Sequence, residues 1–158
     1  METLEMKAKA ADHIYTLHRN PFALAPVIQN FYQHWEPVEK DILLSYLILP
    51  LVTFQPMHQF LKRARRDSSV RTMTSDGSRL IGLAMRVEEF KPITNSALLI
   101  LKAEKRLKIM DDLSVRAVQK PQTVNSNQNL LRYGQKLAMV LSGESVVTTY
   151  RMLGLKSL

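Results

Sequence analysis

The chain has no cysteine, so disulfides and thiolate metal sites are excluded. Its 158 residues hold only five glycines. None of them belongs to GxxxxGK(S/T), GxGxxG or GxSxG. The sequence therefore offers no phosphate-cradling loop, no dinucleotide turn and no nucleophile elbow. The four histidines are His13, His18, His34 and His58. No two stand at i, i+4 spacing, and HExxH is absent. They read as core or surface histidines rather than metal ligands. Asp111 and Asp112 read as turn acids rather than a metal pair. No metal and no cofactor is expected, and the chain reads as non-enzymatic. The opening residues METLEMKAKAADH lack the apolar centre of a signal peptide. Together with the missing cysteine, this suits a reducing cytoplasm.

What is present is an ordinary globular composition, 46% hydrophobic and 23% charged. The length fits one compact domain over 1–158. Its expected internal division is a helical lobe, 1–66, and a winged-helix-like lobe, 79–158, joined by a loop, 67–78. Net charge is +8, and it is unevenly placed. Residues 1–60 hold 4 Lys/Arg against 6 Asp/Glu, whereas residues 61–158 hold 18 against 8. A basic C-terminal two-thirds points to nucleic acid, to an acidic protein surface, or simply to a solvated basic exterior.

No Asp, Glu, Lys or Arg lies between Asp41 and Lys62. The strongly apolar part runs only from Ile42 to Phe54, too short for a membrane span, and Gln55, Pro56, His58 and Gln59 follow it. No membrane partner is expected. Glu39 to about Leu49 reads as a helix apolar nearly all round, hence buried. Pro50 is expected to end it, because proline removes one helical hydrogen bond and crowds the preceding turn. Pro56 then opens a second helix, Met57 to about Arg66.

Helical spacing predicts further helices over Thr3–His18 and Pro21–Trp35. Asp67 to Ser78 is polar and is expected to be a loop. A helix over Arg79–Phe90 is expected to break at Lys91-Pro92. The next, Ser96 to about Lys105, takes Thr94 or Asn95 as its cap. From Leu107 to Val118 the period changes to alternation across Asp111 and Asp112, which predicts a short β-hairpin. Gln128–Leu141 is an amphipathic helix stopped by Gly143. Ser145 caps a last helix, Val146–Leu153, before Gly154. The fold class is thus mainly α with one small hairpin, and a winged-helix-like C-terminal half.

Helix, helix, hairpin is the order of a winged helix, but SALLILKAEKR is a poor groove reader. Ala97–Leu101 is unbroken apolar sequence, whereas a recognition helix needs an exposed polar face. Only Lys102, Lys105 and Arg106 at its end are placed to meet phosphates. The densest cations are Lys62, Arg63, Arg65 and Arg66, with Arg71 beyond them. On a helix the first four would cover about half the circumference at ~100° per residue. They repel one another unless a polyanion or an acidic partner neutralises them. The alternative is a solvated helix end favoured by the helix dipole.

Four stretches carry a family resemblance: NPFALAPVI (Asn20–Ile28), LLSYLILPLVTFQP (Leu43–Pro56), the Ser/Thr-rich loop leading into a helix, and YRMLGLKSL (Tyr150–Leu158). In these the chain resembles the small middle component of three-component ABC-ATPase systems of prokaryotes, the group that includes Lamassu-type anti-phage and anti-plasmid defence. The resemblance implies a non-catalytic adaptor with an SMC- or Rad50-like ATPase and an effector nuclease as partners. In that picture the apolar segment is the core of a scaffold. The basic residues after it are, from their charge alone, the candidate contact to double-stranded DNA or to an acidic surface of the ATPase. The alternative is an autonomous winged-helix DNA-binding regulator.

Overall fold

A computed structural model describes residues 2–7, 19–122 and 126–156. Residues 2–7 are helical, and the rest of the helix expected over Thr3–His18 lies outside the described residues, as do His13 and His18. The first element with both ends described is α1, Pro21–Gln33. Asn20 starts it, its side chain accepting the Phe22 N–H at 2.9 Å. Leu24, Val27, Ile28, Phe31 and Tyr32 follow helical spacing and are all buried. This stripe packs against two later helices, α5 (Leu83–Ala103) and α6 (Gln128–Leu141). A Cβ on Gly134 of α6 would lie 2.9 Å from the Val27 carbonyl oxygen, so only glycine permits this approach. Asn30 Nδ2 donates to the Leu131 carbonyl at 2.7 Å and reinforces the contact.

The uncharged segment is the centre of the core. A 3-10 turn, Asp41–Leu44, leads into α2, Ser45–Val52, in which Leu47, Ile48, Leu49, Leu51 and Val52 have no exposed surface. Contrary to expectation, the helix does not end at Pro50 but runs through it to Val52. A proline inside a helix costs about 3 kcal/mol. Burying five large aliphatic side chains is worth on the order of 10 kcal/mol, and an early break would forfeit part of that. The Pro50 carbonyl is also bonded, accepting from Arg86 Nε at 3.3 Å.

Next comes α3, Gln55–Arg63, with Pro56 in its first turn as expected. It stops three residues earlier than the spacing predicts. Ala64 is buried in extended backbone, and its carbonyl accepts from Lys136 Nζ at 2.8 Å. That side chain turns the chain away, so Arg65 and Arg66 lie beyond the helix.

Two further expectations are corrected. The stretch expected as a loop contains α4, Val70–Thr74, opened by a reciprocal capping box between Ser69 and Thr72. Val70 and Met73 are fully buried beneath it, so two apolar residues within a polar sequence suffice to seat a turn of helix. A 3-10 turn, Gly77–Leu80, follows, with Asp76 as its cap. Then α5 runs unbroken for 21 residues where two helices were expected. Pro92 sits inside it on the exposed side. The Glu88 carbonyl deprived of a donor belongs to an exposed residue, where water can satisfy it. Leu83, Val87 and Phe90 before the proline and Ala97, Leu98 and Leu101 after it share one buried face, which keeps the helix whole. Thr94 is consequently a buried mid-helix residue rather than a cap, and Asn95 accepts a hydrogen bond from the Tyr46 hydroxyl at 2.7 Å.

The hairpin forms as predicted. β1, Leu107–Ile109, and β2, Val115–Ala117, pair antiparallel with Leu107 opposite Ala117 and Ile109 opposite Val115. Asn127 caps α6. Ser145 caps the last helix, α7, Val146–Met152, and Gly154 follows with φ +74°. Among the described residues no helix is long and apolar enough to cross a membrane.

Candidate interaction surfaces

Among the described residues one acidic side chain is buried in the core, and it organises what surrounds it. Asp41 has no exposed surface. Its Oδ2 accepts from Trp35 Nε1 at 3.0 Å and from the Val38 N–H at 2.9 Å. Its Oδ1 accepts from the Val115 N–H at 2.7 Å. The carboxylate thus joins the end of α1, the turn before α2 and the second hairpin strand. Burial raises its pKa, and the three hydrogen bonds only partly oppose that. The hairpin turn is fastened to the same place. Lys40 N–H donates to the Asp112 carbonyl at 2.9 Å, and Ile42 N–H to the Leu113 carbonyl at 3.1 Å. Lys40 and Leu113 both hold positive φ there. Asp112 accepts from the Ser114 N–H and hydroxyl, which lower its pKa, so it is a turn residue.

The predicted cations fall into two groups attached to opposite ends of α5. Lys62 and Arg63 close α3, Arg65 and Arg66 lie in the following turn, and Arg71 is on α4. All five are exposed, and none makes an ion pair among the described residues. The corner they occupy is rigidly built. Arg79 lies over the Phe60 ring at 4.6 Å and donates to the Thr72 and Met73 carbonyls, locking α4 to α3 just before α5 begins. Lys102, Lys105 and Arg106 stand at the far end of α5, about 30 Å along its axis. Lys102 and Lys105 are exposed. Arg106 is largely covered, with Nε on Glu104 at 3.0 Å and Nη1 on the Lys120 carbonyl at 3.4 Å. It holds the start and end of the hairpin rather than a free phosphate contact.

Neither described histidine is placed as a ligand. His58 bonds the Val52 carbonyl at 2.8 Å and stacks on Tyr133, and His34 bonds the Asn30 carbonyl at 2.9 Å. Among the described residues no group of three or more His, Asp or Glu side chains could hold a metal ion.

Sequence reasoning did not anticipate two concavities. Two adjoining clefts, of about 700 and 520 Å³, share Leu43, Val146 and Val147 as walls. The first runs along α7 past Tyr150 and Leu155, and the second continues past Trp35 and Val38. Val147 is 66% exposed and Val38 46%. The Tyr150 hydroxyl donates to the Leu43 carbonyl and fixes α7 over the core. These walls come from residues 35–43 and 142–156, so no local pattern announces them. The one available signal was Val146-Val147 directly after a cap, where an apolar pair opens a short terminal helix.

Comparisons with known proteins were made for the whole chain. Neither the curated proteins nor the solved structures gave a match. A family model does match, over residues 8–157, and its description is ABC-three component (ABC-3C) system Middle Component 3. This span takes in the core, the basic corner, the hairpin and the clefts, and the chain belongs to that family of middle components.

Proposed function

We propose that the chain is a non-catalytic adaptor of a prokaryotic defence complex of the Lamassu type. It bridges an SMC- or Rad50-like ATPase and an effector nuclease in the cytoplasm. The observation that carries this reading is membership, over nearly the whole chain, of a family of middle components, since a middle component implies other components to join. Lys62, Arg63, Arg65, Arg66 and Arg71 form the contact to double-stranded DNA or to an acidic face of the ATPase. Their support is exposure without an ion pair among the described residues. Cations held close together without counter-charges gain most from a polyanion, because binding releases its condensed counterions. Lys102 and Lys105 form a separate, smaller contact.

The test is purification of the tagged chain, expressed with the ATPase and effector of its own system, washed at low and at high salt. Both components should remain in both washes. Recovery of DNA alone, lost at high salt, would replace the adaptor with an autonomous DNA-binding regulator.

A further inference from the structure

The two clefts beside α7 carry charges of opposite sign at their two ends. Glu36, Glu39 and Glu144 line the end where α7 begins, with Lys40 beside them, so this end is net acidic. Arg151, in its last turn, and Lys156, beyond it, line the other. Glu36, Glu144, Arg151 and Lys156 make no ion pair among the described residues, and Glu39 meets only Lys40, at 4.0 Å. Between the ends Leu43, Val146 and Val147 form an apolar wall continuous from one cleft to the next, with Tyr150 extending it in the first.

We propose that this is one docking groove for an amphipathic helix of another component of the system, lying antiparallel to α7. The inference rests on the adaptor reading and names its contact surface. The floor is itself a helix, whose backbone groups are bonded internally, so the groove offers side chains and no strand edge. An occupant must bring its own backbone already satisfied, which a helix does. Its direction follows from charge. Helices ordinarily carry acids in their first turn and Lys or Arg in their last, to complement the dipole. α7 with its flanks has that arrangement, Glu144 before it and Arg151 and Lys156 at its end. An antiparallel helix of ordinary polarity sets its acidic start over Arg151 and Lys156 and its basic end over the three glutamates. About three turns, roughly 16 Å, would span the groove.

A second copy of the chain, pairing α7 with α7, satisfies the same charge rule, and the experiment separates the two. The tagged chain is expressed with the ATPase and effector of its system. Retention of each is measured, together with amide hydrogen exchange over residues 142–156, with and without the partners. The variants are Val147→Glu and the double change Arg151→Glu with Lys156→Glu, all at exposed positions, each accepted only if its melting is unchanged. The expected result is slowed exchange over α7 in the complex. Val147→Glu should lose at least tenfold in partner affinity, equivalent to about 1.4 kcal/mol. The double reversal should weaken binding more at low salt than at high salt. Full retention with Val147→Glu, or unchanged exchange at α7 in an intact complex, overturns the groove and leaves the adaptor standing. A chain that dimerises alone through α7, and whose Val147→Glu form is monomeric yet keeps its partners, also overturns it. Failure of the unaltered chain to retain any component removes the adaptor reading itself, and the groove's occupant with it.

Discussion

Residues 42–61 and 62–71 are neighbours in sequence and opposites in structure. The first stretch has no Asp, Glu, Lys or Arg and supplies Leu44, Leu47, Ile48, Leu49, Leu51, Val52, Met57 and Leu61 to the core. The second carries five exposed cations that make no ion pair among the described residues, yet it is not a free loop, because Ala64 and Val70 are buried among them. Charge is concentrated where the backbone is already anchored from within. The cations therefore do not have to stabilise the fold and are left available for something outside it.

Four changes test that contrast, in falling order of effect on stability. Leu47→Asp should be the most damaging. It places an unpaired carboxylate where no surface is exposed and should cost about 3–5 kcal/mol, read as the shift in a urea unfolding midpoint. A soluble protein with unaltered melting would remove α2 from the core. Met73→Ala asks whether the basic corner has an interior of its own. A fully buried methionine cut to alanine should cost about 2–4 kcal/mol, and a negligible change would make the segment a loop after all.

Asp41→Asn comes third. Its Nδ2 would face at least one of three donors that now meet carboxylate oxygens, for about 1–3 kcal/mol. The same residue sets a pH dependence. With its pKa raised above the ordinary 3.8, folded protein binds the Asp41 proton more tightly than unfolded protein does. Its contribution to stability is therefore full below 3.8 and is lost as pH rises through the folded-state value. Urea stability measured across the acidic range should show that fall for the unaltered chain, and Asp41→Asn should lack it.

Changing Lys62, Arg63, Arg65 and Arg66 together to Glu should be the mildest for the fold, within about 0.5 kcal/mol per site. It should nonetheless weaken association of the complex with DNA, with a loss that shrinks as salt rises. DNA binding left intact while the ATPase is lost would assign the corner to protein contact.

Much of this contrast is legible in the amino-acid sequence alone. The hairpin, α6 and α7 follow from alternation, an amphipathic stripe and the local cap Ser145, all written within a few residues. What escapes such a reading depends on distant residues. Pro50 and Pro92 carry the local signal of a break, and burial by elements elsewhere in the chain overrides it in both cases. The identity of the basic residues is plain in the sequence, but their placement is not. The end of α3 is decided by Lys136, 72 residues away from the Ala64 carbonyl it holds. The role of Asp41 is not written locally, because one of its three donors is the Val115 N–H, 74 residues away. The clefts are invisible for the same reason, since no stretch of sequence contains more than one wall.

The long-range bonds also set a schedule. Asp41 waits for Val115, Gln29 donates to the Gln119 carbonyl at 2.6 Å, and Leu43 waits for Tyr150. During synthesis at roughly 5–20 residues per second, the 90 residues between Gln29 and Gln119 take about 5–18 s to emerge. For much of that interval Ile42 to Phe54 is already made and has mainly α1 to pack against, until α5 emerges. The most apolar stretch of the chain is thus the one a nascent-chain chaperone has to cover, and its own cover is complete only when α6 joins α1 and α5 over it.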